Sequence, residues 1–113
     1  MAPDLYQPPV QDMELAAVLA ALSDPARLAI VAEIHEAGEI CANALTIDLC
    51  KSTISHHMKV LREAGVTWTE CEGVERRVTL RYDCLGKKFP GLLESVLNAT
   101  SSKVSRKKMK GTK

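Results

Sequence analysis

The chain has 113 residues, a formal net charge of +1 and 46% apolar residues, enough for one domain with a modest core and too little for a roomy enclosed active site beside it. One Trp, two Tyr and one Phe are its only aromatics, so that core is built from Ala, Leu, Val and Ile, a composition that suits helices. No stretch approaches the roughly 20 apolar residues of a membrane span, and "MAPDLYQPPVQD" is acidic and Pro-rich, unlike a secretory signal; a cytoplasmic protein without a membrane partner is expected.

In that compartment Cys41, Cys50, Cys71 and Cys84 are expected to be reduced thiols, and the absence of a Cys-x-x-Cys pair argues against a zinc ribbon or a thioredoxin-type centre. The small net charge hides a gradient. Residues 1–50 hold eight acids and one base, Arg27; residues 51–100 hold eight bases and six acids; residues 101–113 hold six bases and no acid. A basic half beside an acidic half suggests a polyanion partner on one side only.

Residues 1–11, rich in proline, read as a flexible N-terminal arm. From Asp12 the run "DMELAAVLAAL" is almost wholly apolar after its first turn, which predicts a helix buried on most sides. "SDP" at 23–25 supplies Ser23 or Asp24 as N-cap and Pro25 at the first helical position. This second helix is predicted to reach about Ala37, with Gly38 suited to a left-handed residue after its end. Cys41 to Ile47 reads as a third helix of about two turns.

After a break at 48–51, Ser52 is expected to cap a fourth helix. Its buried stripe is Ile54, Met58 and Leu61, its polar face Ser52, Ser55, His56, Lys59 and Glu63, and its margins His57 and Val60. His57 reads as a packed edge histidine. Gly65 ends the helix, and the period changes to two: Val66, Trp68 and Glu70 alternate with Thr67, Thr69 and Cys71. After the turn "EGVE", Val78, Leu80 and Tyr82 take one face and Arg77, Thr79 and Arg81 the other, a β-hairpin with a basic returning strand. A last helix is expected from about Pro90 to Ala99, followed by a basic disordered tail at 101–113.

The expected fold is mainly α with a small β-hairpin, a winged helix-turn-helix at residues 12–100. In such a fold the second helix of the pair enters the major groove of double-stranded DNA. Lys51, Ser52, Thr53, Ser55, His56 and Lys59 are the expected DNA contacts on that helix, with Arg76 and Arg77, and Arg81 beside them, on the hairpin. The short hydroxyls and free N–H groups of a helix start suit phosphate, and the longer His56 and Lys59 reach base edges. A winged-helix protein-interaction module that does not bind DNA is the competing class, but such modules carry apolar or acidic recognition faces. No catalytic site is expected: Ser55, His56 and His57 diverge by about 100° per residue on a helix, and no carboxylate is placed to orient either histidine as a base.

"LSDPARLAIVAEI", "STISHHMKVLREAGV" and the hairpin at Gly73 resemble the ArsR/SmtB family of winged-helix repressors over roughly residues 13–99. The resemblance implies a symmetric homodimer joined by its first and last helices, whose two recognition helices sit about 34 Å apart and read an inverted-repeat operator. The apolar runs "ELAAVLAAL" and "FPGLLESVL" fit that interface independently. Members typically leave DNA when a metal ion, a metalloid or an oxidant arrives.

The family's soft-metal motif is Cys-x-Cys, and here the corresponding stretch reads Glu39, Ile40, Cys41, Ala42, Asn43, without the second thiol, and the stretch from it to the recognition helix is about two residues shorter than in the metal-sensing members. Between Phe89 and Ala99 only Glu94 offers a metal ligand, so neither family metal site is complete, and no metal site or cofactor is expected. What remains is Cys41 and Cys50. Were the chain helical between them, their Cα atoms would lie about 13 Å apart, beyond disulfide reach unless the break at Asp48 folds Cys50 back. Cys50 lies beside Lys51 and just before a helix start, where a positive potential favours the thiolate. Thiol oxidation at Cys41 and Cys50 is the expected inducing event. The alternatives are arsenite or another soft metal held by cysteine thiolates, and two merely buried cysteines.

Overall fold

The computed structural model describes residues 5–108, with side chains to residue 100. In chain order the elements are α1 (Leu15–Ala21), α2 (Pro25–Ala37), β1 (Ile40–Cys41), α3 (Lys51–Ala64), β2 (Thr67–Glu72), β3 (Glu75–Leu80), α4 (Tyr82–Lys88) and α5 (Leu92–Lys108). The three strands form one antiparallel sheet in the order β1-β3-β2. The core lies where α2, α3 and α5 meet it: Ile30, Val31, Ile34, Met58, Leu61, Val78, Leu80, Leu93 and Leu97 are all buried.

Helix α2 starts as the "SDP" reading requires. Asp24 is the N-cap, its carboxylate accepting from the N–H groups of Ala26 (2.7 Å) and Arg27 (3.3 Å), with Pro25 in the first turn. Helix α3 buries Met58 and Leu61 and leaves Ile54 and Val60 half-buried, and Gly65 closes it at φ 95°. The hairpin turns through Gly73, φ 63°, while Val74 keeps a negative φ, the sign pattern of a two-residue type II′ connection that follows strand twist. The inward face of β2 is the threonine face: Thr67 and Thr69 are buried, whereas Trp68 and Glu70 point out.

The structure corrects several expectations. The helix predicted from Asp12 is a 3-10 turn at Val10–Asp12 followed, after a break, by the shorter α1. That helix is not buried on most sides: Val18 and Ala21 are, but Leu15 and Leu19 are 47% and 46% exposed. Where a third helix was predicted, Ile40 and Cys41 pair with Val78 and Arg77 of β3, a 3-10 turn covers Ala42–Ala44, and the chain to Cys50 is irregular. A short apolar run fits either state by pattern alone, and here the unfilled edge of β3 decided it.

Helix α4 lies in a stretch with no predicted helix, and it removes Tyr82 from the strand. It buries only Leu85, but Asp83 in its first turn and Lys87 and Lys88 in its last match the helix dipole, the one readable signal. The final helix runs to Lys108 instead of ending near Ala99, so the backbone of 101–108 is helical where a disordered tail was expected; residues 109–113 lie outside the described residues.

The expected flexible arm, from residue 5 onward, is pinned. The Gln7 side-chain amide donates to Thr69 O (2.9 Å) and accepts from Thr69 N–H (2.7 Å), acting as a one-residue strand partner on the free edge of β2. Arg62 Nε donates to Tyr6 O, Arg81 to Pro8 O, and Lys88 to the carbonyls of Val10 and Gln11. Residues 1–4 lie outside the described residues.

The last correction concerns the start of α3. Its N-cap is Cys50, and no side chain caps it; Ser52 sits inside the first turn.

Candidate nucleic-acid interface and thiol site

Fourteen residues of α3 present two unlike faces, because apolar and polar residues alternate at helical spacing. On the outer face Lys51, Ser52, Ser55, His56 and Lys59 are exposed, and Thr53 is half-buried. The first turn carries no acid, so its free N–H groups and the positive helix end stay unopposed.

His57 is 9% exposed and faces inward. Its Nδ1 lies 3.1 Å from Arg27 Nη1; a guanidinium only donates, so Nδ1 is the acceptor in that contact. Arg27 also donates from Nε to Ala21 O at 2.7 Å. The single base of the acidic half therefore ties the end of α1 to the recognition helix, a role that sequence spacing did not reveal. The Asp24 carboxyl is partly desolvated, which raises its pKa. The N–H bonds from Ala26 and Arg27, with the charge of Arg27, outweigh that and leave it lowered.

On the hairpin the three arginines separate. Arg76 is exposed, and among the described residues it forms no ion pair. Arg77 reaches Glu39 at 3.2 Å and Glu72 at 3.5 Å, and the Glu39 hydrogen bond, then the Glu72 charge, raises its pKa. It braces the wing against Glu39, just past the end of α2, while its side chain stays 43% exposed. Arg81 lies 5.1 Å over the Trp68 ring and donates to Pro8 O at 2.8 Å, holding the N-terminal segment. Lys51 and Ser55 of α3 and Arg76 of the wing line one groove, which brings helix and wing cations together as a single positive rim.

The two candidate sensing thiols have different neighbours. Cys50 is exposed, with Sγ 3.4 Å from Ser52 Oγ and 3.2 Å from Thr53 Oγ1. Hydrogen bonding from the Ser52 hydroxyl, then from that of Thr53, with help from their backbone N–H groups, lowers its pKa from 9.0 to about 7. The hydroxyls expected to meet phosphate thus solvate a sulfur. Cys41, half-buried on β1, has its Sγ 4.0 Å from Glu75 Oε1. Both thiols are free, so the structure does not pair them. Among the described residues no three His, Cys, Asp or Glu side chains form a metal-holding group, and no single helix is long and apolar enough to cross a membrane.

No family model matches the chain. It is 36% identical over 88 residues to the HTH-type transcriptional regulator YceK of Bacillus subtilis (strain 168), covering 75% of this chain and 88% of that protein. To the arsenical resistance operon repressor of Staphylococcus xylosus it is 35% identical over 74 residues, 64% of this chain and 70% of that one. Its fold matches an ArsR-like transcriptional regulator from Rhodococcus sp. RHA1 with a TM-score of 0.60 and 24% identity, over 81% of this chain and 90% of that chain. These relatives are named as transcription regulators rather than enzymes. With the two sequence motifs on α2 and α3, the winged hairpin and these likenesses together, the chain belongs to the ArsR family of winged helix-turn-helix transcriptional regulators.

Proposed function

We propose that this regulator is a repressor that binds an inverted-repeat operator as a homodimer and leaves it when Cys50 is oxidised. The observation that carries the DNA reading is the shared groove rim, Lys51 and Ser55 from α3 opposite Arg76 from the wing. Helix α3 enters the major groove with His56 and Lys59 toward base edges, while Lys51, Ser52, Thr53 and Ser55 approach phosphate and Arg76 holds the flanking backbone. Arg77 acts by bracing the wing. Binding of purified protein to its own upstream DNA tests this: affinity falls steeply with salt, and Lys51→Ala lowers the slope of log K against log salt by about 1. Salt-insensitive or absent binding would favour a protein-interaction module.

The thiol half of the proposal rests on Cys50, an exposed sulfur at the first turn of the recognition helix. Its thiolate attacks peroxide, the O–O bond breaks, and with one proton the products are the sulfenic acid and water. Cys41, once drawn from Glu75, then condenses with that sulfenic acid to a disulfide, releasing a second water; the cysteine pair loses two electrons to the peroxide. Strain on residue 50 then displaces α3. The expected result is operator release on peroxide or diamide, loss of two thiols per subunit, and no release for Cys50→Ser. Unchanged DNA binding with both thiols consumed would make the cysteines bystanders.

The lowered pKa adds a pH test. Deprotonation governs thiol reactivity, so alkylation of Cys50 has its half-maximal rate near pH 7, and Ser52→Ala moves that midpoint upward. A soft metalloid is the second reading, favoured by the arsenical resistance relative; arsenite then releases DNA without thiol loss on later reduction, and binds stoichiometrically.

A further inference from the structure

The groove between α3 and the wing has a volume of about 370 Å³, within the range of small-molecule sites. Its helix wall is one stripe, Lys51, Ile54, Met58 and Arg62, spaced three or four residues apart. Arg62 stands out there. It is 9% exposed, and its Nε donates to Tyr6 O at 3.2 Å. Among the described residues no carboxylate comes within ion-pair distance of it, its terminal N–H groups have no protein acceptor, and neither terminal nitrogen is a buried atom left without a partner. Its remaining donors are the fork geometry that binds a carboxylate or phosphate at two points.

In the rest of the lining Ile54, Met58 and Val78 are apolar, Asn43, Ser55 and Thr69 are neutral and polar, and Lys51 and Arg76 stand exposed at the rim beside a single acid, Glu75. A DNA phosphate can approach the exposed rim cations, but an apolar wall offers a sugar-phosphate backbone nothing, and the floor is deeper than the rim. The occupant that satisfies both parts has one anionic end and an apolar body.

We propose that this groove is an effector site for a small amphipathic organic anion, its carboxylate on Arg62 and its apolar body against Ile54, Met58 and Val78, and that its occupant excludes DNA. The competition rests on the operator reading above, because Lys51, Ser55 and Arg76 belong to both surfaces; the anion site itself does not. Ligand and thiol oxidation then act on one helix by separate routes.

The test uses full-length protein carrying ¹³C-methyl methionine and ¹⁵N arginine, titrated with sodium octanoate below its micelle threshold. The Met58 methyl and Arg62 Nε signals shift saturably, octanol binds at least about tenfold more weakly for want of the charged bond, and operator DNA is released at the same octanoate midpoint. Arg62→Met abolishes the selectivity for octanoate over octanol. Because that variant also loses the bond to Tyr6, Ile54→Phe serves as a second: it fills the groove and blocks octanoate while Arg62 keeps its place. Equal binding of octanol, or shifts at Met58 and Arg62 produced by operator DNA and not by octanoate, overturns the proposal. Octanoate binding by protein that binds no DNA upholds the anion site and overturns the operator reading instead.

Discussion

Gly65 takes φ 95° at the end of α3, and a Cβ built there meets the Met13 side chain at 2.7 Å. Two demands fall on one residue: a positive φ to end the recognition helix, and empty space for a buried methionine. Gly65→Ala is therefore expected to destabilise the fold by about 1–3 kcal/mol, read as a lower midpoint in denaturant with an unchanged slope. The opposite case is Thr67, whose buried Oγ1 has no hydrogen-bond partner among the described residues. Thr67→Val removes that orphan and keeps the β-branched shape. It is expected to stabilise by about 1 kcal/mol, raising Tm by about 4–8 °C; an unchanged or lower Tm would mean that the hydroxyl finds a partner. The glycine was readable as a helix stop in the sequence, but its quarrel with Met13 was not, since the two are distant along the chain.

At the scale of elements, the N-terminal segment is the part that sequence undervalued. Gln7 completes the edge of β2 with two side-chain hydrogen bonds, and Tyr6, Pro8 and Val10 offer carbonyls to Arg62, Arg81 and Lys88. One extended segment thereby joins the recognition helix, the wing and α4. Prolines read as loop because they remove donors, yet carbonyl acceptance is what this segment does. Gln7→Ala is expected to cost about 1–2 kcal/mol and to speed amide exchange at Thr69; full protection of Thr69 in that variant would show that the clamp is dispensable. The third predicted helix failed for a related reason. The residues from Cys41 to Ile47 read as a helix on their local pattern, and pairing with β3 lies outside any local window.

For the molecule as a whole, α1 leaves an apolar stripe exposed. Leu15 and Leu19, one turn apart, are half exposed, while Val18 and Ala21 on the other side are buried. An apolar stripe of this kind on a small chain fits a self-complementary contact with a second copy. Leu19→Glu is expected to leave Tm nearly unchanged, because the site is exposed in the single chain, and to yield monomers in sedimentation with operator binding sharply weakened. A dimer that survives this substitution would place the interface elsewhere.

The sequence by itself determined the elements whose signals are local: the Asp24 cap with Pro25, the amphipathic α3 and its glycine stop, the period-two hairpin with its Gly73 turn, and hence the winged class and the polar recognition face. It also placed His57 correctly at the packed edge. Only the tertiary structure decided which of the basic residues are free. Arg76 stays exposed at the wing, whereas Arg77, Arg81 and Arg27 are held by Glu39, Pro8 and His57, and Arg62 is buried on the groove. It also gave Cys50 its hydroxyl neighbours and kept Cys41 apart on β1. Helix periodicity and turn chemistry act within a few residues, so a sequence displays them; the fate of a long cationic side chain depends on partners brought close only by folding.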